Sequence, residues 1–454
     1  MKDDTMLMRR IETGRGTLLA RPPGPRLPPV LQSVLFTWWR HRWAASLRAK
    51  FGDVVSIDIY PWRKVILLYD PQHIAAMFAA PPSQFSAGEG NRVMAPVMGH
   101  KSVFMVDGDE HKRLRKLMAP LFGRNAIRGY LDIVRDLTVA EVDRWPVATS
   151  FESHDRMREL TLDIMSRVTF GIAEGPRFDR MRALLGRLLD MDLIVLMGLN
   201  VPGAQRVGPW RGAMKLVGEI DALVYEVIAE RRTSSGLSER TDVLSRLLVA
   251  GDGEDALSDL EIRDQLITLL IAGHETTATG LAWALHELAR DRQVAREAAK
   301  AAVLDDTAYL EAVVKESLRM HPVIFEVTWT LTEDVELAGY RLPKGSTVMP
   351  MIGIVQNDPV NFPEPARFRP ERFLEGPIPP GLWAPFGGGA RRCVGANFAL
   401  MEATEVLRVL LARRQITTDL RGPERASSKH VAFAPAKGAR ISAPPLVEIG
   451  GDGR

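Results

Sequence analysis

The distribution of apolar and polar positions divides the chain into three parts. From about Asp109 to Pro322 apolar residues return every three or four positions, the spacing that gathers them on one face of an α-helix, with breaks at stretches such as Gly198 to Gly212. Ahead of this block, Val54 to Tyr60 and Lys64 to Tyr69 are rich in β-branched residues and separated only by Pro61-Trp62-Arg63, which predicts a hairpin. Asp70-Pro71 then supplies an N-cap and a first-turn proline for a short helix. Behind the helical block the chain returns to short strands and turns, notably Val335 to Pro343, and runs irregularly through the proline-laden stretch Asn357 to Pro380. A last helix is predicted beyond residue 393, with Phe398, Leu400, Val406, Leu407, Leu410 and Leu411 able to line one side. The pattern is mainly α with a smaller β region.

Composition narrows this picture. Apolar residues make up 46% and charged residues 25% of 454, the balance of a globular protein with a substantial core. No Ser- or Gly-rich linker divides the middle. We therefore expect a tail and Pro-rich lead-in over 1–30, where Arg21 to Pro29 cannot be helical, and one large domain over 31–454. The net charge of +3 is a small excess, and no basic run is interleaved with aromatics, so nucleic acid binding has no support. The single cysteine excludes an internal disulfide framework and fits a cytoplasmic location. Met1 to Ala20 has neither a signal-peptide apolar core nor a transmembrane segment. Val34 to Trp43 holds Phe36, Trp38, Trp39 and Trp43 but is interrupted by Arg40, His41 and Arg42; it reads as a helix packed on the domain, with contact to a bilayer surface as the other reading.

That one cysteine, Cys393, lies in Pro385-Phe386-Gly387-Gly388-Gly389-Ala390-Arg391-Arg392-Cys393-Val394-Gly395. A lone cysteine is commonly a small buried apolar residue. Its setting behind three glycines and an arginine pair suits a thiolate metal ligand, since glycines allow a flat cofactor close to the backbone and leave N–H groups free to face the sulfur. In the central helical run, opened by the capping box Ser258-Asp259-Leu260-Glu261, small and polar residues Ala272-Gly273-His274-Glu275-Thr276-Thr277 interrupt the apolar face. A mid-helix glycine costs about 1 kcal/mol relative to alanine, so Gly273 is expected to make room for a flat ligand, and a threonine hydroxyl can bond back to a carbonyl and open the helix locally. An ordinary bent core helix is the alternative. A two-histidine zinc motif would need histidine at 278, where Ala278 stands.

Two charged sets complete the list. Glu316 and Arg319 share a helix face and can pair, by themselves as a solvated ion pair, and Phe368-Arg369-Pro370-Glu371-Arg372-Phe373 follows about fifty residues later. His111 and Arg115 are four apart and project together, as part of a solvent-facing basic stripe or as partners for buried carboxylates.

Phe386, Gly389, Arg391, Cys393 and Gly395 match Phe-x-x-Gly-x-Arg-x-Cys-x-Gly, and this loop resembles the haem-binding loop of the cytochrome P-450 family. The helix with Glu275-Thr276, the Glu-x-x-Arg of Glu316 and Arg319, and the Pro-Glu-Arg-Phe segment follow in the family's order. The resemblance implies that fold, with haem b enclosed between the central helix and the cysteine loop and bound through Cys393. It implies that Phe386 packs beside the thiolate, that Arg391, His111 and Arg115 face the propionates, and that Gly395 belongs to the ligand loop. Glu275 becomes the acid and Thr276 the hydroxyl that deliver protons to bound oxygen. Glu316, Arg319 and Arg372 become a structural triad. The implied activity is a soluble bacterial-type monooxygenase acting with O2 on a small hydrophobic substrate (lipid, terpenoid, steroid or xenobiotic), with electrons from a ferredoxin and its reductase. Arg392, Lys112 and Lys116 would form the docking face for that donor. The pocket would draw on Phe85 to Phe104, Met191 to Pro202, Val323 to Val327 and Val431 to Phe433, with Glu326 either selecting a polar handle or facing solvent. One departure stands out: Trp329 occupies the place ahead of Glu333-Asp334-Val335 where the family carries a propionate arginine. A haem-thiolate protein that does not reduce oxygen would not need the Glu275-Thr276 pair, and a cysteine hydrolase would need a histidine beside Cys393.

Overall fold

The helical block assembles around one 32-residue helix, Asp259–Arg290, which we call the central helix. Its start is fixed by the expected capping box: the Ser258 hydroxyl accepts from the Glu261 N–H at 3.2 Å, and Glu261 accepts from the Ser258 N–H at 2.9 Å. Most of its residues are buried, because it packs against helices Ser153–Phe170, Gly208–Thr233, Thr307–Met320 and Ala396–Leu411. Leu266, Leu270, Leu281 and Leu285 join Phe398, Val406, Leu407 and Leu410 of the last helix in one large apolar cluster. The computed structural model describes residues 10–446 other than 14–15, 20, 61, 172–174, 192, 202, 252 and 430–431.

The β region forms beside this block. Val54–Ile59 and Arg63–Leu68 pair as the expected antiparallel hairpin, in register from Val54 with Leu68 to Ile59 with Arg63. Thr347–Pro350 adds to Arg63–Leu68 in parallel, followed by Trp329–Leu331 and Phe85–Ser86, to give five strands. Helix Pro71–Ala79 follows the hairpin, and the Asp70 carboxylate caps it by accepting from the N–H groups of Gln72 and His73 at 2.7 and 3.1 Å.

The lead-in departs from the expected loose tail. Arg10–Thr13 and Gly16–Leu19 are paired strands, and Leu19 pairs with Tyr340 in a second, four-stranded sheet. Farther on, the Ser56 N–H donates to the Pro23 carbonyl at 2.8 Å. A Cβ on Gly24 would lie 1.9 Å from the Ser56 carbonyl oxygen, so only glycine permits this approach. The prolines keep 21–28 out of helix, as expected, but Pro29 itself opens the next helix, where a first-turn proline is tolerated. Residues 1–9 of the expected tail lie outside the described residues.

Candidate active site

The cysteine loop enters helix Ala396–Leu411, which holds Cys393 at a fixed point just ahead of its first turn. The Cys393 N–H donates to the Phe386 carbonyl at 2.9 Å, and the Gly395 N–H bonds to the sulfur. Phe386 packs edge-on against Trp383, ring centroids 6.0 Å apart. Burial pushes the Cys393 thiol up, with the Gly395 N–H, Arg392 and Arg115 acting in the opposite direction. The side chain nevertheless keeps an open surface. A sulfur that is both crowded by protein and open lines a hollow of the fold.

Two of the glycines before it also serve a contact within the protein. A Cβ on Gly388 would stand 2.4 Å from the Phe78 ring, and one on Gly389 would stand 2.0 Å from the Phe78 carbonyl oxygen. Gly388 and Gly389 therefore let the loop press against helix Pro71–Ala79, while a Cβ on Gly387 would meet nothing within 4 Å.

Helix Gly108–Met118 brings His111 and Arg115 to the same place, as their spacing predicts. His111 is buried and lowered to about 4, first by burial and then by the cations Arg391 and Arg115, so its ring is neutral at pH 7. Arg391 donates to the Val103 carbonyl at 3.1 Å, to the Val106 carbonyl and to Asp107. Asp107 also accepts from the backbone N–H groups of Ala87 and Gly88 at 3.0 and 3.2 Å. Arg115 is half-buried, and among the described residues it has no carboxylate partner. Desolvation is the largest influence on it, lowering its pKa, while the Cys393 sulfur acts the other way.

A haem would bring to this place an iron that takes thiolate sulfur and two carboxylates that need cations. The residues fit that group: an accessible sulfur steadied by a backbone N–H, and Arg115 without a counter-ion beside it.

On the central helix the Thr276 hydroxyl donates to the Ala272 carbonyl at 2.6 Å, the expected back-bond, while the helix continues unbroken. Ala272 is exposed and Ile271, Gly273 and Thr276 are half-buried, so this face of an otherwise buried helix borders open space. A Cβ on Gly273 would meet the Met165 side chain at 2.8 Å, so the glycine serves the fit to helix Ser153–Phe170. Glu275 is held on that same side. Its carboxylate accepts from Arg158 Nε at 2.9 Å and lies 3.5 Å from His154 Nε2. Burial would raise its pKa, but the His154 hydrogen bond and the charges of Arg158, His154 and His274 outweigh it and hold the carboxyl at about 2. Arg158 also reaches Asp190 at 2.8 Å, and the His154 ring meets the Thr279 hydroxyl at 3.2 Å. His274 is buried and bonded to Thr161 at 2.8 Å.

Glu316 and Arg319 are fully buried, which excludes the solvated pair. Two bonds of 2.7 and 3.0 Å join them, and Glu316 also accepts from Arg372 Nε at 3.3 Å and the Arg369 N–H at 3.0 Å. Arg319 donates to the carbonyls of Gln356 and Pro365, and the Gln356 side chain accepts from the Ala384 N–H at 2.9 Å. The network thus runs from the helix to the segment that leads into the cysteine loop. Trp329 is a core residue between Phe78 and Phe85, ring centroids 5.5 and 5.4 Å away. Glu326 does not face solvent: one of its carboxylate oxygens pairs with Arg40, and the other, Oε2, is buried without a hydrogen-bond partner. Val431, expected at the pocket, lies outside the described residues.

Sequence reasoning missed Arg158, His154 and Asp107. His154 and Arg158 are four apart on one helix, a signal for a shared face but not for what that face meets. A cleft of about 740 Å3 lined by His41, Trp283, His321, Phe325 and Phe433 lies away from these groups and holds neither the thiol nor the Glu275-Thr276 pair.

Comparison with known proteins identifies the family. The cytochrome P450 family model matches residues 22–442. A Mycobacterium tuberculosis relative carrying the name cytochrome P450 135A1 is 40% identical over 437 residues, covering 95% of this chain and 97% of that one. A Mycobacterium bovis relative named cytochrome P450 135B1 is 39% identical over 92% of this chain and 90% of its own. The fold matches that of retinoic acid-bound cyanobacterial CYP120A1 with a TM-score of 0.82, at 23% identity and over 94% of this chain and 100% of that one. The chain belongs to the cytochrome P450 family, the haem-thiolate monooxygenases.

Proposed function

We propose that this monooxygenase inserts one atom of O2 into a small hydrophobic molecule, of lipid, terpenoid, steroid or xenobiotic type, on haem b bound through Cys393. The observation that carries this reading is the joint placement of an accessible Cys393 sulfur and the uncompensated Arg115 cation. Bound haem supplies O2 binding and one-electron reduction steps. Cys393 holds the iron, with the Gly395 N–H steadying its negative charge. Arg115, His111 and Arg391 receive the carboxylates, and Arg391 reaches them from its anchorage on Asp107. Phe386, whose carbonyl accepts from the Cys393 N–H, would pack beside the sulfur.

Thr276 and Glu275 serve proton delivery. The Thr276 hydroxyl, anchored on Ala272, accepts and orients water at the exposed strip of the central helix. Glu275 carries no proton of its own at neutral pH, so it acts as a relay, and Arg158 must loosen before the carboxylate can turn toward that strip. The exposed cations Arg392, Lys112 and Lys116 suit an acidic ferredoxin, itself reduced by its reductase.

The test is a screen for apolar compounds that shift the ferric Soret band, followed by turnover under 18O2 with a surrogate ferredoxin and reductase. We expect one 18O atom in the product. Oxygen drawn from water, or no oxygenated product from any shifting compound, would overturn the reading.

A further inference from the structure

Helix Pro29–Phe51 changes character at Trp39, whose φ of −129° and ψ of 26° break the helical path. Beyond the kink, Ala44 and Leu47 are buried under the hairpin. Ahead of it, Gln32 and Phe36 face inward, and the Gln32 side chain donates to the Leu27 carbonyl at 2.7 Å and accepts from the Asp58 N–H at 3.0 Å. The opposite face carries Val30, Leu31, Val34 and Trp38, which are 77, 44, 41 and 69% exposed. Val30, Val34 and Trp38 are four apart and form one stripe. Trp39, 53% exposed, flanks it at the kink. Tyr60 extends the patch from the hairpin turn, because its N–H donates to the Ser33 hydroxyl at 3.0 Å and its side chain is 67% exposed.

An outward helix face in water is ordinarily polar, and a contiguous exposed apolar patch marks an interaction site. The charges around this one select the partner. From Leu27 to Phe51 the chain has no Asp or Glu; Arg40 and Arg48 are taken up by Glu326 and by Asp53 and Asp358, while Arg42 and Lys50 are exposed. Arg42 is exposed just past the kink. An aliphatic stripe ending in two tryptophans, on a helix that carries the exposed cations Arg42 and Lys50 and no carboxylate, with the neighbouring Asp58 paired to Arg21, has the chemistry of a segment lying in a lipid interface, apolar side in the acyl boundary and cations at phosphate level.

We propose that the face made by Val30, Leu31, Val34, Trp38, Trp39 and Tyr60 docks this protein onto the surface of an anionic bilayer. The contact is peripheral, since among the described residues no helix is long and apolar enough to cross a membrane. The docked helix is tied to the interior: Arg40 pairs with the buried Glu326 and lies 5.0 and 5.3 Å from the Phe36 and Phe433 rings, and the His41 ring meets Phe325 and Phe433 at 4.1 and 4.4 Å. Docking therefore leaves the helix between the lipid and the buried segment around Phe325.

The test is flotation of the haem-loaded full chain with vesicles of phosphatidylcholine alone and of equal phosphatidylcholine and phosphatidylglycerol. We expect flotation with the anionic vesicles, several-fold less with the neutral ones, and a decline as salt is raised. Trp38→Ser with Trp39→Ser should weaken anionic binding on the order of tenfold. Arg42→Glu should weaken it several-fold. The pair Val30→Ser and Val34→Ser provides a second probe should the tryptophan variant lose its haem. Absence of flotation would overturn the proposal. So would a lipid-free dimer in sedimentation velocity that the tryptophan variant dissociates, because the face would then be covered by a second copy of the chain.

Discussion

Arg158 Nε stands 2.9 Å from Glu275 Oε2 and joins the central helix to a helix 117 positions earlier in the chain. Such a pair locks the carboxylate in place and keeps it ionised. Arg158→Leu removes the charge that offsets burial, so the Glu275 carboxyl rises from about 2. We expect the acid limb of the pH–rate profile to move to higher pH, and turnover to change more than substrate affinity. An unchanged profile would show that Glu275 takes no part in proton delivery.

Thr276→Val keeps the shape of the side chain and removes the hydroxyl bonded to the Ala272 carbonyl. Electron consumption should continue while product yield falls and peroxide rises; Thr276→Ser should restore most of the coupling. The ratio of product formed to reductant consumed measures this directly.

Arg319→Ala leaves Glu316 in a fully buried site with Arg372 as its remaining charged partner. Breaking a buried pair of this kind costs about 3–5 kcal/mol, read as a lower urea midpoint. Haem content should fall as well, because Arg319 and Gln356 brace the segment leading to Cys393.

Acid stability has its own signature. Burial lowers His41, His111 and His274 to about 4 each. A histidine whose folded value lies below its unfolded value of about 6.5 gives stability that is present above that pH and lost as pH falls toward 4. Each contributes a slope of about 1.4 kcal/mol per pH unit inside that window. Glu275 adds to the loss only below its unfolded value of 4.5, since its folded value is about 2. The urea midpoint should therefore begin to drop near pH 6.5, and His111→Asn should flatten the decline.

Much of this site could be read along the chain because it is built from local patterns. The capping box of Ser258 and Glu261, the Glu316-Arg319 pair and the His111-Arg115 pair are one helical turn each, so spacing alone predicts that their members face together. The loop around Cys393 was legible for the same reason. What stayed hidden depends on packing between distant segments. Gly273 answers to Met165, Gly388 and Gly389 answer to Phe78, and Arg391 answers to Asp107. Trp329 sits in the core between Phe78 and Phe85, and the pairing of Glu326 with Arg40 spans 286 positions. No periodicity in the sequence encodes such contacts.

The most direct test of the account is the carbon monoxide spectrum of the reduced, haem-loaded protein beside that of Cys393→His. The account predicts a strongly red-shifted Soret band in the natural chain, and loss of that shift in the variant with haem still bound. A red-shifted band that survives in Cys393→His, or one absent from the natural chain, would contradict ligation of the iron by Cys393.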